Sequence, residues 1–292
     1  MSFPNSSCLA LGCLYNYAGF VRVRLCWSFS VSFKFSQGRI PLLVSFPHNG
    51  SHIPEDVAQT MTPAGRSSRD TDWFLDRLYD FHELVDASLL VAGQSRYVID
   101  MNRPKDNESL YPGQTTTGLV PLTRFDGKLV YETEPTEAEL QRRIREVWSP
   151  YHQKIESELS RMTDQFGVAV LVEAHSIEPE LPRLFDGRLP DFNVGTNRGT
   201  SCDSAITDAV MGVLQNQGQY SHVLNDRFVG GYITRHFGDP ANRRHAIQFE
   251  LSQSTYMDEI AKVWDQTKAD QVQPVFRNII SGVKQWLESK QT

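Results

Sequence analysis

Ionisable and polar side chains stand at the ends of several apolar runs in this chain, and their types suit hydrolytic chemistry. They are His48, Asp100, Asn102, Arg103, Glu173, His175 and Glu250. If the apolar runs are strands of one α/β sheet, these side chains meet in a crevice beyond the strand ends. Two neutral histidines and a carboxylate could hold a divalent metal and leave a position open for water. The pattern therefore predicts a metal-assisted hydrolytic site.

Two of these residues have types suited to the chemical step itself. Glu250 lies between Phe249 and Leu251, so burial could raise its carboxyl pKa toward neutrality and suit it to act as a general base. Arg103 could stabilise the oxyanion of a tetrahedral intermediate. Structural roles stay open, because a strand-end histidine often only makes hydrogen bonds and Glu250 could pair with a buried arginine. The compact HExxH signature of many zinc hydrolases is absent.

Composition excludes several classes of protein. The chain has 292 residues, is 40% hydrophobic and carries a net charge of −6, which is typical of one or two globular domains. It contains no run of about 18 apolar residues, so no transmembrane helix is predicted. The acidic balance argues against nucleic acid as the main partner. Four cysteines without a CxxC pair favour neither a disulfide scaffold nor a thiolate zinc site.

The amino-terminal segment differs from the rest, because no Asp or Glu precedes Glu55. A serine-rich, acid-poor segment with arginines is typical of an organelle transit peptide. A secretory signal fits less well, because no positive charge precedes the apolar stretch at residues 8–15. A start codon placed too early is the third interpretation. We expect residues 1–30 to be a non-native or disordered extension and residues 31–292 to form a single domain.

The remaining pattern alternates strands and helices around one long loop at residues 104–133. Strands are predicted at 40–46, 88–93, 96–102, 168–176 and 246–252, and helices at 70–84, 136–165, 202–217 and near the carboxyl terminus. Ser149-Pro150 predicts either a kink or two helices within 136–165. This order indicates an α/β domain with helices on both faces of a mixed, largely parallel sheet.

Eight segments taken together resemble the N-formylglutamate amidohydrolases, or deformylases, of histidine breakdown. They are residues 41–54, 70–79, 98–104, 111–121, 151–159, 173–177, 230–240 and 245–257. The resemblance runs in order over residues 31–290, and residues 1–30 match nothing in the family. The family is similar to the zinc carboxypeptidases. The resemblance therefore implies a three-layer α/β/α fold of the zinc-carboxypeptidase, phosphorylase/hydrolase-like kind.

The resemblance also implies a metal site. His48 falls where the first histidine of a His-x-x-Glu metal motif would stand, but Ser51 occupies the glutamate position. His175 resembles the second metal histidine. Asp72 is the expected third ligand. Three weaker candidates for that ligand are Asp70, Glu55 and the imidazole of His52.

Further roles follow from the same resemblance. Asn102 and Arg103 resemble a pair that binds the substrate carboxylate and the oxyanion, and Glu250 resembles the general base. In the segment 230–240, Arg235 and His236 are expected to bind substrate, although Arg235 could instead pair with an acid such as Asp239.

The implied activity is metal-dependent hydrolysis of N-formyl-L-glutamate to formate and L-glutamate, the last step of a histidine degradation route. The implied cofactor is a divalent metal, with zinc expected, and the implied location is the cytoplasm, with no nucleic-acid or membrane partner. Two alternatives stay open. One is a related acyl-amino-acid hydrolase or carboxypeptidase-like peptidase, and the other is a non-catalytic ligand-binding protein on the same scaffold.

Overall fold

A computed structural model describes residues 27–29, 32–81, 85–110 and 116–290. The expectation for residues 1–26 therefore lies outside the described residues. Strand β1 (Trp27–Phe29) pairs antiparallel with β2 (Phe33–Ser36) at one edge of the sheet. Residues 27–29, which we assigned to the extension, thus join the sheet.

An eight-stranded mixed sheet forms the centre of the domain. Its order is β1-β2-β4-β3-β5-β8-β6-β7. The further strands are β3 (Leu42–Phe46), β4 (Ser88–Ala92), β5 (Ala169–Ile177), β6 (Phe192–Gly195), β7 (His222–Leu224) and β8 (Arg244–Ser252). The four central strands, β4-β3-β5-β8, are parallel, and β8 pairs antiparallel with β6. A separate hairpin joins β9 (Met257–Asp258) and β10 (Val263–Trp264).

Helices of very different length connect the strands. They are α1 (Glu55–Ala58), α2 (Pro63–Arg66), α3 (Leu75–Leu78), α4 (Glu137–Arg143), α5 (Ser149–Phe166), α6 (Ser204–Asn216), α7 (Tyr232–Phe237) and α8 (Gln266–Glu288). A π-helical turn, Ile144–Trp148, joins α4 to α5. Within the described ranges, no helix combines the length and apolar character needed to cross a membrane.

Two hydrophobic clusters separate the two faces of the sheet. Leu42 and Val44 of β3 face one cluster, which includes residues of α3, α6 and α8. Leu43 faces the other cluster, where α5 and α7 pack. Successive strand residues point to opposite faces, so a strand covered by helices on both sides must be apolar throughout. This packing confirms the predicted three-layer α/β/α fold with a mixed, largely parallel sheet.

Two predicted elements were wrong in detail. Residues 96–102 form turns rather than a strand, because their backbone bonds locally, as from Val98 N to Ser95 O at 2.9 Å. In the segment 70–84, the described residues are helical only at α3, and Phe74 before α3 has a left-handed φ of 62°. The second alternative for residues 136–165 is confirmed, because α5 is a separate helix that carries Pro150 in its first turn, where a missing N–H costs no helical hydrogen bond.

The topology creates a crevice at one edge of the sheet. The chain leaves β3 for β4 on one side and later enters β5 on the other side of β3. Such a switch point leaves space beyond the carboxyl ends of the two adjacent strands. His48 follows β3, and His175 lies near the end of β5. The fold therefore brings these two histidines to the same crevice.

Candidate active site

Three predicted metal ligands lie together in the crevice. The ring centroids of His48 and His175 are 4.8 Å apart. Asp72 Oδ2 lies 3.0 Å from His175 Nδ1 and 3.8 Å from His48 Nδ1. One ligand atom from each of the three buried residues lies within 4.8 Å of the others. Two imidazole nitrogens and one carboxylate oxygen form a donor set that suits a divalent transition metal.

The second nitrogen of each imidazole contacts a buried carboxylate. His48 Nε2 lies 2.7 Å from Asp100 Oδ1, and His175 Nε2 lies 2.7 Å from Glu173 Oε1. Histidines that ligate metals commonly have such a partner, which fixes the ring orientation and the tautomer. Both rings therefore present Nδ1 toward Asp72.

Backbone hydrogen bonds, rather than a helical motif, hold Asp72 next to the two histidines. Its N–H donates to His48 O at 3.0 Å, and Ser176 N donates to Asp72 Oδ2 at 3.2 Å. These bonds tie Asp72 to both histidine-bearing segments. The carboxylate thus comes from a segment remote from the His-x-x-Glu glutamate position, which Ser51 occupies.

The weaker ligand candidates lie elsewhere. Asp70 Oδ2 accepts a hydrogen bond from Phe125 N at 2.7 Å. His52 and Glu55 are exposed, with Glu55 in the first turn of α1. None of these three belongs to the metal-ligand group found among the described residues.

The electrostatics of the two histidines differ. Burial opposes charge on His175, but Glu173 and Asp72 outweigh it and raise its pKa to about 10. Burial and the nearby charge of Arg96 lower the pKa of His48. Without a metal, His175 therefore holds a proton between two carboxylates at neutral pH, and His48 is neutral.

Glu250 faces the same pocket. It pairs in register with His175 across β5 and β8, and it lines the pocket beside both histidines. Burial raises its pKa to about 8, while the charge of His175 acts in the opposite direction. A carboxylate with a pKa near neutrality suits proton transfer.

Arg103 and Asn102 also line the pocket. Arg103 Nε donates to Thr117 O at 2.8 Å and its Nη1 to Asn102 O at 3.0 Å. Asn102 Nδ2 lies 3.0 Å from His175 Nε2, and its Oδ1 accepts a hydrogen bond from Ile233 N in α7. Asn102 therefore helps to position His175, and the loop around Thr117 orients Arg103.

Arg235 and His236 are not among the described residues that line this pocket, and their role in substrate binding stays a prediction. The Arg235 guanidinium donates to Gly230 O at 2.8 Å and to Leu110 O at 3.1 Å. His236 stacks on Tyr232 on the other side of α7, with ring centroids 5.0 Å apart.

Two pocket arginines were not indicated by the sequence. Arg96 is buried, its Nη2 donates to Asp100 Oδ2 at 2.7 Å, and its Nε donates to none of the described residues. Arg227 lines the pocket farther along. No motif marks either residue, although an arginine in an apolar stretch such as 96–101 is itself a signal.

One side of the pocket is largely apolar. We call it the apolar wall; it consists of Phe125, Ile177, Leu184, Phe185 and Phe228. His48, His175 and Glu250 form the polar end. The pocket therefore joins a polar reaction centre to a surface that suits methylene groups.

Comparisons with known proteins identify the family. The family model for N-formylglutamate amidohydrolase matches residues 40–257. The N-formylglutamate deformylase of Pseudomonas aeruginosa is 47% identical over 255 residues, covering 86% of this chain and 96% of that protein. Its counterpart in Pseudomonas putida is 45% identical over 255 residues, covering 86% of this chain and 95% of that protein.

A solved structure of similar fold covers nearly the same span. The crystal structure of N-formylglutamate amidohydrolase from Ralstonia eutropha JMP134 has a TM-score of 0.77 and 24% identity. It covers 89% of this chain and 99% of that one. At this identity the likeness supports the fold, while the family model and the two relatives carry the assignment. The chain belongs to the N-formylglutamate amidohydrolase family.

Proposed function

We propose that this protein hydrolyses N-formyl-L-glutamate to formate and L-glutamate in a metal-dependent reaction. The observation that carries the proposal is the convergence of His48, Asp72 and His175, with Glu250 facing the same pocket. The names of the relatives supply the substrate. The last step of histidine degradation and a cytoplasmic location stay predictions of the family resemblance.

The residues that would hold the metal are His48 and His175, each through Nδ1, and Asp72 through its carboxylate. When bound, the metal, for which zinc is the expected ion, would polarise the formyl carbonyl and lower the pKa of a water molecule. Asp100 and Glu173 would keep both rings in position, as their contacts with Nε2 do in the structure.

Glu250 would accept a proton from the attacking water and later deliver it to the leaving nitrogen. A pKa raised by burial suits both steps, since the carboxyl can exchange its proton near neutral pH. Arg96, a buried cation that lines the pocket, would join Arg103 in stabilising negative charge on the carbonyl oxygen. Arg103 would bind the α-carboxylate at the polar end.

One assay tests the proposal. Formate release from N-formyl-L-glutamate is measured with the purified protein, after chelation, and after Zn²⁺ is added back. We expect activity that the chelator removes and the metal restores. Activity resistant to thorough chelation would contradict metal dependence. Binding of the substrate without formate release would support the ligand-binding alternative, and faster release of a bulkier acyl group would support a related acyl-amino-acid hydrolase.

A further inference from the structure

The guanidinium of Arg227 lies against the apolar wall of the pocket. Its Cζ lies 4.9 Å from the ring centroid of Phe185 and 5.8 Å from that of Phe228. Both phenylalanines pack against the buried cluster formed by Ile177, Leu181 and Leu189. Arg227 therefore adds a cation to the side of the pocket that is otherwise suited to methylene groups.

Two aromatic rings lie within cation–π distance of this guanidinium. An aromatic ring interacts with the face of a guanidinium, while its N–H donors lie in the plane of the group and point outward at the edge. The planar fork of an arginine matches a carboxylate and can bind both of its oxygens. A guanidinium held between Phe185 and Phe228 also loses less conformational freedom when it binds an anion.

The other pocket arginines are hydrogen-bonded to groups that contact the two histidines, although the Cζ of Arg96 also lies 4.9 Å from the ring centroid of Phe125 in the apolar wall. Arg96 hydrogen-bonds Asp100, which contacts His48. Arg103 hydrogen-bonds the backbone of Asn102, whose side chain lies beside His175. These two cations suit charges next to the scissile bond. An anion farther along the substrate would need a cation on the apolar wall.

We propose that Arg227 is the specificity-determining residue that binds the side-chain carboxylate of an N-formyl acidic amino acid. Two methylene groups of a glutamyl side chain would lie along Phe185 and Phe228, and the terminal carboxylate would reach the guanidinium. This inference rests on the proposed function, and it adds the residue that distinguishes an acidic side chain from a neutral one of the same shape.

The test compares two substrates that differ only in that charge. Formate release is measured for N-formyl-L-glutamate and N-formyl-L-glutamine with the metal-loaded wild type, R227Q and R227K. Loss of a charge-assisted hydrogen bond of this kind lowers affinity by about 10–100-fold. We expect R227Q to lose about 10–100-fold in kcat/KM for the glutamate substrate, mainly through KM, and to change little for the glutamine substrate.

A matched control comes from the same region of the chain. Arg188 is exposed, and it contacts Glu180 at 3.3 Å and Ser254 at 2.7 Å. We expect R188Q to keep the wild-type preference. Metal content and melting temperature of each variant identify any loss that arises from unfolding. R227K keeps the charge without the planar fork, so it should keep the preference for the glutamate substrate with a raised KM.

The outcomes separate the two proposals. If the wild type is active on N-formyl-L-glutamate but R227Q keeps the full preference over the glutamine substrate, Arg227 does not read the side chain. If R227Q is too unstable to assay, a full preference over the glutamine substrate in R227M, which is also uncharged, leads to the same conclusion. If the wild type releases no formate from N-formyl-L-glutamate, the proposed function itself fails, and the role of Arg227 fails with it.

Discussion

His175 and Glu250 are direct partners in the parallel register of β5 and β8. Parallel partners project to the same face of the sheet, so this pairing places the carboxylate beside the imidazole. A slip of one residue would turn Glu250 to the opposite face, into the cluster that contains Phe249 and Leu251. Core packing therefore fixes the geometry of the proposed reaction centre.

Replacing Glu250 tests its role as a general base. E250Q keeps the shape of the side chain but cannot accept the proton, so we expect kcat to fall by about 10²–10⁴. Bound metal and substrate affinity should persist. The measurements are kcat and metal content on the same purified variant. Activity within about threefold of wild type would remove Glu250 from the mechanism, and joint loss of metal and activity would recast it as a ligand.

Two neighbouring aspartates give a matched test of the third ligand. Loss of a side chain that only hydrogen-bonds a metal ligand costs about 10–100-fold in metal affinity, and we expect D72N to cost more than that. D70N changes a similarly buried carboxylate that instead accepts a hydrogen bond from Phe125 N. It should therefore keep the metal. Metal affinity is measured by competition with a chelator, and equal affinities for the two variants would show that Asp72 is not a ligand.

Metal binding should depend steeply on pH because of His175. The carboxylates raise the pKa of this imidazole to about 10, so the metal must displace its proton at neutral pH. Apparent affinity should then rise about tenfold for each pH unit between about pH 6 and pH 9. The affinity for Zn²⁺ is measured at several pH values with a competing chelator of known proton affinity. A flat profile would show that His175 is already neutral in the metal-free protein.

The stability of the metal-free protein should change with pH in the opposite sense to the metal affinity, falling as the pH rises. A histidine whose pKa is higher in the folded state than in the unfolded state stabilises the fold below its unfolded pKa of about 6.5. For His175 that contribution is lost as the pH rises toward about 10. We expect the melting temperature of the chelated protein to fall across this range. Zn²⁺ should remove most of the dependence, and an equal fall with and without metal would argue against this origin.

The backbone at Gly231 lies close to the Asn102 side chain, and this contact allows a test of stability. A Cβ at Gly231 would lie 2.1 Å from Asn102 Nδ2, so Asn102 or the start of α7 would have to move. We expect G231A to destabilise the fold by about 1–3 kcal/mol and to lower activity. Gly212 in α6 has no atom within 4 Å of its Cβ position, so G212A should be neutral or stabilising by up to about 1 kcal/mol. Urea unfolding compares the two, and equal effects would contradict the crowding at Gly231.

The strands that carry the site were predictable from the sequence for a physical reason. β3, β5 and β8 are covered on both faces, so they appear as continuous apolar runs that end in polar residues. Residues 97–99 are equally buried but lie in turns. Buried strands and buried turns are both rich in apolar residues, so only the backbone hydrogen bonds distinguish residues 97–99 from a strand.

The site itself was predictable where chemistry limits the choice of residue. Histidines and an isolated buried glutamate are rare at strand ends, so His48, His175 and Glu250 stand out. Arg96 and Arg227 do not, because the sequence does not show which arginines a fold turns inward. For Arg235, the sequence likewise does not show that its guanidinium donates to backbone carbonyls. Such distinctions depend on side-chain direction over a few residues.

The strand order also determines the stage of synthesis at which the sheet can be completed. β8 lies between β5 and β6, so β6 and β7 join the sheet only through a strand that follows both of them in the chain. A nascent polypeptide that ends before residue 244 leaves one edge of β5 unpaired, and an unpaired edge can bind a strand from another molecule. Glu250 arrives on the same late strand. The proposed proton acceptor is therefore synthesised as part of the strand that joins the two parts of the sheet.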